Sequence, residues 1–98
     1  MAFFIKTETI KSKYLLNTEL KKTIINDHII WVKGLKSKGL NIKSGFLIDK
    51  YKKPGEGGLL IIECETYQDA ETIIKNDPMI KSKIVNWKLN QWIDILEN

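Results

Sequence analysis

The stretch "GGLLIIECETYQDAETIIKNDP", residues 57–78, changes periodicity halfway along, and that change decides the fold class. Its first part, "LLIIECE" (59–65), is almost continuously apolar, as in a central strand that must be covered on both faces. The second part, "TYQDAETIIKND" (66–77), reads as a helix. Thr66 and Asp69 have the spacing of a capping box, and Ala70, Ile73 and Ile74 supply the buried side. That helix must stop near Asp77, because Pro78 disfavours helical geometry in the residue before it. Asp77 is also placed to cap a short turn that begins at Pro78.

Reading outward, "AFFIKTET" (2–9) has strand-forming residues with partial alternation, and Lys11 to Asn17 reads as a loop. The segment from Thr18 to Lys38 is the strongest helix. Thr18 is the candidate N-cap, Glu19 sits at the positive end of the dipole, and Gly39 supplies the C′ stop. Leu20, Ile24, Trp31 and Leu35 share one side of it, Ile25 and Val32 widen the stripe, and His28 projects from the middle. "LNIKSGFLI" (40–48) is a strand and "DKYKKPGEGG" (49–58) a turn into the next. "IVNWKLNQW" (84–92) alternates Val85, Trp87 and Leu89 onto one face as the last strand. The order is β-α-β-β-α-β: an α+β, ferredoxin-like single domain over 1–98, with a four-stranded antiparallel sheet and two helices on one face. The other face would keep apolar residues from "AFFI", "LLII" and the last strand, which predicts a homodimer packed through the open sheet face.

Composition narrows the function. The chain has 98 residues, 43% apolar and 29% charged, which suits a folded domain with one core. No apolar run approaches the roughly 20 residues of a membrane span, and no signal peptide opens the chain, so the expectation is a cytoplasmic protein with no membrane partner. Cys64 and His28 are too few for a structural zinc site, so neither metal nor another cofactor is expected. The net charge is +4 and the pI about 9.2, but all sixteen basic residues are lysines, scattered among acids. Guanine readout and tight phosphate forks favour arginine, so specific nucleic-acid recognition is not expected.

The sole histidine is the residue most open to a chemical role. In this topology the first helix begins, and the second ends, at one end of the sheet, so "NDP" (76–78) can approach His28, while the second strand carries Ser44 and Gly45 toward the same end. A carboxylate bonded to one imidazole nitrogen fixes the tautomer and leaves the other free to take a proton. Spacing alone leaves several pairs open, since five aspartates accompany the one histidine.

Taken together, "DHIIWVKGLKSKG" (27–39), "SGF" (44–46), "GGLLIIECET" (57–66) and "DAETIIKNDPMIKSKIVNWKLNQW" (69–92) resemble the YCII-like family, small ferredoxin-like chains that form dimeric α/β barrels. The resemblance covers nearly the whole chain. It implies that His28 and Asp77 match the family's His-Asp dyad, and that Ser44 and Gly45 line the same cleft. Phe46 departs from the proline many members carry there, which changes the cleft edge. The family's activities include a dehydrochlorinase, and it is similar to muconolactone isomerases. That implies cofactor-free proton transfer on a small organic acid or aromatic, as an isomerase, lyase or dehydrochlorinase.

The competing reading is a non-catalytic homodimer, structural or binding a small organic ligand, in which the histidine is held by a capping aspartate. Ser44 is more simply a strand-edge hydroxyl than a nucleophile, since no oxyanion hole is legible. Trp31, Trp87 and Trp92 read as core or interface residues, Lys6 as a solvated strand residue, "KPGEGG" as a hairpin loop and Cys64 as inert packing.

Overall fold

The computed structural model describes residues 1–96; Glu97 and Asn98, the end of the domain expected over 1–98, lie outside the described residues. The elements are β1 (Ala2–Ile10), α1 (Thr18–Ser37), β2 (Ile42–Ile48), β3 (Pro54–Cys64), α2 (Tyr67–Ile74), α3 (Pro78–Lys81) and β4 (Val85–Trp92), with a 3₁₀ turn at Ser12–Tyr14 in the first loop. All strand pairs are antiparallel in the order β2-β3-β1-β4, the ferredoxin-like arrangement. The apolar strand of the opening stretch, β3, is central. Its partners β1 and β2 are related by a register that sets Phe4 against Ile62 and Ile42 against Ile62 from the other side.

Alternation sends Phe4 and Lys6 of β1, Ile42 and Ser44 of β2, Leu60, Ile62 and Cys64 of β3, and Val85 and Leu89 of β4 to the helix side. Apart from Ser44, all of these are buried. Val32, Ala70 and Ile74 of the two long helices complete that core. Burying each large apolar side chain stabilises the fold by about 1.5–3 kcal/mol. A smaller cluster of Ile24, Met79, Ile84 and Val85 seats α3 against α1 and β4.

Four local details differ from the sequence reading, each for a physical reason. Asn17, one residue earlier than Thr18, caps α1 by accepting from Leu20 N–H at 3.2 Å. Ile25 is exposed, because it lies on the flank of α1 that nothing covers. α2 ends at Ile74, and Asn76 and Asp77 tighten to bonds with the carbonyls of Ile73 and Ile74 so that Asp77 can be extended before Pro78. "KPGEGG" is not a hairpin loop, since β3 already begins at Pro54. Pairing jumps from Phe46↔Gly58 to Ile48↔Pro54, so Gly55, Glu56 and Gly57 face Leu47 alone in a bulge.

The open face carries Phe3, Ile5, Leu59, Ile61 and Trp92, with the Phe3 and Trp92 rings 6.3 Å apart. It is less apolar than the sequence suggests. The apolar residues Val85, Trp87 and Leu89 of β4 turn inward, and Asn86, Lys88 and Asn90 face out between them. Among the described residues no helix is long and apolar enough to cross a membrane.

Gly57 has φ +98°, and a Cβ there would run into the backbone carbonyl of Glu8. Gly34, inside α1, has nothing within 4 Å of such an atom. Denaturant unfolding is therefore expected to show Gly57→Ala destabilised by about 2 kcal/mol or more through strain and collision. Gly34→Ala should gain roughly 0.5–1 kcal/mol from helix propensity.

Candidate active site

Pro78 holds Asp77 extended, at φ −62° and ψ 124°, and this backbone turn aims the carboxylate into the protein instead of along a helix. Asp77 is fully buried. Its Oδ1 accepts from Met79 N–H at 2.9 Å, capping α3, and from His28 Nδ1 at 2.7 Å. Its Oδ2 accepts from Lys6 Nζ at 2.6 Å. On the other side of the imidazole, His28 Nε2 lies 2.7 Å from Ser44 Oγ. The structure thus brings together three of the four residues singled out from sequence. Gly45, next along β2 and paired with Leu59, turns by alternation toward the opposite face and is not part of this chain of bonds.

The proton positions follow from charge. Burial by itself pushes the Asp77 carboxyl up, but the His28 hydrogen bond and the Lys6 ammonium outweigh it and hold the group below the usual carboxylate range. An ionised carboxylate only accepts, so His28 Nδ1 must donate to it. In the neutral ring Nε2 then carries the lone pair, and the Ser44 hydroxyl donates to it. His28 retains 13% side-chain exposure and Ser44 is exposed, so the free nitrogen faces the surface end of the chain while Asp77 forms its dry end.

The sequence reading missed the partner behind Asp77. Lys6 is 2% exposed, not solvated, and is ion-paired with both Asp77 and Glu8. A lysine at an inward position of an alternating strand was the available signal, since an uncompensated ammonium cannot be buried there. No buried side-chain polar atom among the described residues lacks a partner, so the cluster is fully satisfied.

The two elements that meet at Ser44 both carry exposed apolar side chains. On the helix, Ile25 and Ile29 lie about 60° and 100° round from His28, opposite in sense to Trp31. Trp31 leans with Leu35 over a hollow of about 380 Å³ shared with Ile73 and Asn76 near α2. The exposed Ile25 and Ile29 therefore lie on the flank of α1 away from that hollow, and Phe46 and Ile48 of β2 are also exposed. A second hollow of about 310 Å³, lined by Glu8, Leu47, Trp87 and Lys88 among others, lies beyond Lys6. Neither hollow includes His28 or Ser44. Their bond lies where α1 meets the edge strand β2. Among the described residues no group of three or more His, Cys, Asp or Glu side chains could hold a metal ion. Cys64 is buried, and burial, followed by the charges of Asp69 and Glu63, pushes its thiol up, so it packs as a neutral group.

These features define an α+β, ferredoxin-like chain with a histidine-carboxylate pair between its helix layer and its sheet. Among solved structures, the chain is similar to the 5-chloro-2-hydroxyhydroquinone dehydrochlorinase of Burkholderia phenoliruptrix AC1100, solved in complex with 2,5-dihydroxybenzoquinone. The TM-score is 0.70 at 18% sequence identity, and the match covers 93% of each chain. This likeness establishes the fold. No family model matches the chain, and no curated protein matches it.

Because the Asp77 carboxyl is held below its unfolded value of about 3.9, its contribution to stability is complete above about pH 4. It is lost as pH falls through the lower folded value. Urea unfolding against pH should show this acid loss in the native chain and less of it in Asp77→Asn. At neutral pH, Asp77→Ala should cost about 3–5 kcal/mol, since it removes one of the two carboxylates that meet the buried Lys6 ammonium and leaves the Met79 N–H and His28 Nδ1 without their acceptor.

Proposed function

We propose that this chain is a YCII-like protein of the cytoplasm, one domain over residues 1–98, acting as a cofactor-free proton-transfer enzyme on a small aromatic or organic acid. The observation that carries this reading is the pair formed by a dry, ionised Asp77 and a partly exposed His28, with Nε2 at the surface end. His28 is the general base. It removes a proton from a hydroxyl or carbon near a carbonyl- or halogen-bearing carbon, and Asp77 orients the ring and stabilises the imidazolium that forms. Ser44 gives up its bond to Nε2 when substrate enters and donates to a substrate oxygen instead, with Gly45 beside it at the strand edge. In the dehydrochlorinase version the proton goes to His28, the released electron pair forms a new double bond, and chloride leaves with its bonding pair. No oxidant or reductant is needed.

The exposed apolar side chains of Ile25 and Ile29 on α1 and of Phe46 and Ile48 on β2 suit an aromatic ring better than a highly charged acid, and Lys6 is already neutralised by two carboxylates. The structural neighbour's own substrate, a chlorinated hydroxyhydroquinone, belongs to that chemical class. One observation favours a second reading, a non-catalytic homodimer that binds a small ligand: Asp77 also caps α3, so a purely structural task would account for its burial.

Turnover separates the two. Chlorinated hydroquinones and small carbonyl acids, assayed for chloride release and for solvent deuterium uptake, should be turned over by the native chain. His28→Gln should lose about 10²–10⁴-fold in rate. Equal activity in His28→Gln, or none in the native chain across the panel, favours the non-catalytic reading.

The same proposal takes a second copy as the cover of the open sheet face, with Phe3, Ile5, Leu59, Ile61 and Trp92 at its centre. Sedimentation at micromolar concentration should give twice the 11.4 kDa chain mass, and Ile61→Asp should give the monomer. A native chain that sediments as a monomer overturns this part.

A further inference from the structure

The ring of His28 belongs to a line of polar groups that runs through the protein from the β2 edge to β1: Ser44, His28, Asp77, Lys6 and Glu8. The first three are the site described above. The last two do not touch the place where a substrate would sit. Lys6 is 2% exposed and its ammonium lies between two carboxylates, the one fully buried and the other, that of Glu8, with 9% of its side chain exposed. Even a fully paired buried ammonium often stabilises no better than an apolar side chain of similar volume, so stability alone does not call for a lysine in this strand position. Its neighbours on the inward face of β1 and β3, Phe4, Leu60 and Ile62, show that an apolar side chain would fit the layer.

We propose that Lys6, clamped by Glu8, is a positioning residue that sets the orientation of the Asp77 carboxylate and, through it, the basicity of His28. The inference rests on the reading of His28 as the base. Geometry carries it. With Oδ2 taken by Lys6 and Oδ1 taken by Met79 N–H, the carboxylate has no freedom to rotate, and Oδ1 alone is left to meet the imidazole. Electrostatics adds opposing influences. The ammonium of Lys6 is a like charge to an imidazolium and disfavours it, while the carboxylate of Glu8 favours it. Together the two act as a trim on the charge that the imidazole meets.

The groups around His28 leave few other sources of such control. Asp77 faces it from the turn between α2 and α3, Ser44 from β2, and Trp31 from its own helix with ring centroids 5.8 Å apart. The inward face of β3 offers Leu60, Ile62 and the neutral thiol of Cys64. Asp27, adjacent on α1, is exposed and screened by solvent.

An NMR titration of the single imidazole reads this coupling directly, in the full-length chain and without a substrate. Lys6→Met keeps the length of the side chain and removes the charge; Glu8→Gln keeps a hydrogen-bonding group and removes the opposite charge. The His28 midpoint should rise in Lys6→Met and fall in Glu8→Gln, each by about one pH unit relative to the native chain. In the deprotonated ring at the basic end of the titration, ¹⁵N shifts should also show the Nδ1–H form in the native chain and in Glu8→Gln. In Lys6→Met they should show a mixture, as the carboxylate loses its anchor. If Lys6→Met does not fold, Glu8→Gln decides by itself. Midpoints unchanged in the folded variants, or moved in the same direction in both, would overturn the proposal and leave the pair a structural plug. Neither result depends on turnover, so failure of the positioning role and failure of the enzymatic reading are distinguishable.

Discussion

The fully buried Asp77 carboxylate is the constraint on which the rest of this structure depends. An ionised carboxylate out of contact with water is tolerable only if its oxygens are met by donors, and here the donors come from three different parts of the chain. Lys6 arrives from the first strand, His28 from the long helix and Met79 N–H from the short helix that Asp77 itself starts. Each of these elements is separated from the others in sequence, so satisfying one side chain fixes how β1, α1 and α3 sit on each other. The small cluster of Ile24, Met79, Ile84 and Val85 fills the apolar space around that junction.

The same constraint makes the site asymmetric. Nδ1 of His28 is committed inward, and Nε2 points to Ser44 on an edge strand where the side chains of Phe46 and Ile48 are uncovered. The pair therefore has a dry, charged end and a surface-facing nitrogen, and the proposed proton transfer rests on that division. Lys6 and Glu8 continue the line of charged groups behind the carboxylate, and Glu8 lines the hollow of about 310 Å³. The layer arrangement explains why all of this lies on one face. Both long helices cover the same side of the sheet, so the polar line is enclosed there, and the opposite side shows Phe3, Ile5, Ile61 and Trp92 among lysines and asparagines.

Local features were legible where a short-range rule governs them. Gly39 takes φ +93° as the helix stop, Thr66 caps α2 through Asp69 N–H, and Asp77 caps α3 ahead of Pro78. Each depends on residues within a few positions of one another. The bulge at Gly55–Gly57 was not legible. Its glycines look like any turn, and only the pairing with β2, together with the approach of the Glu8 carbonyl, makes them part of a strand. Lys6 escaped for a related reason. Most strand lysines are solvated, and nothing within "AFFIKTET" tells that an aspartate 71 residues later will meet this one.

By itself the sequence determined the order and kind of the elements, the one-sided helix layer and the short list of residues able to handle a proton, because periodicity, caps and residue chemistry act over a few positions. Only the tertiary structure decided that His28 meets Asp77 and Ser44 at once, that Gly45 turns away, and that a buried Lys6 stands behind the carboxylate. Those outcomes depend on strand register and helix rotation. A shift of one residue in β2 would turn Ser44 to the opposite face and leave His28 without it.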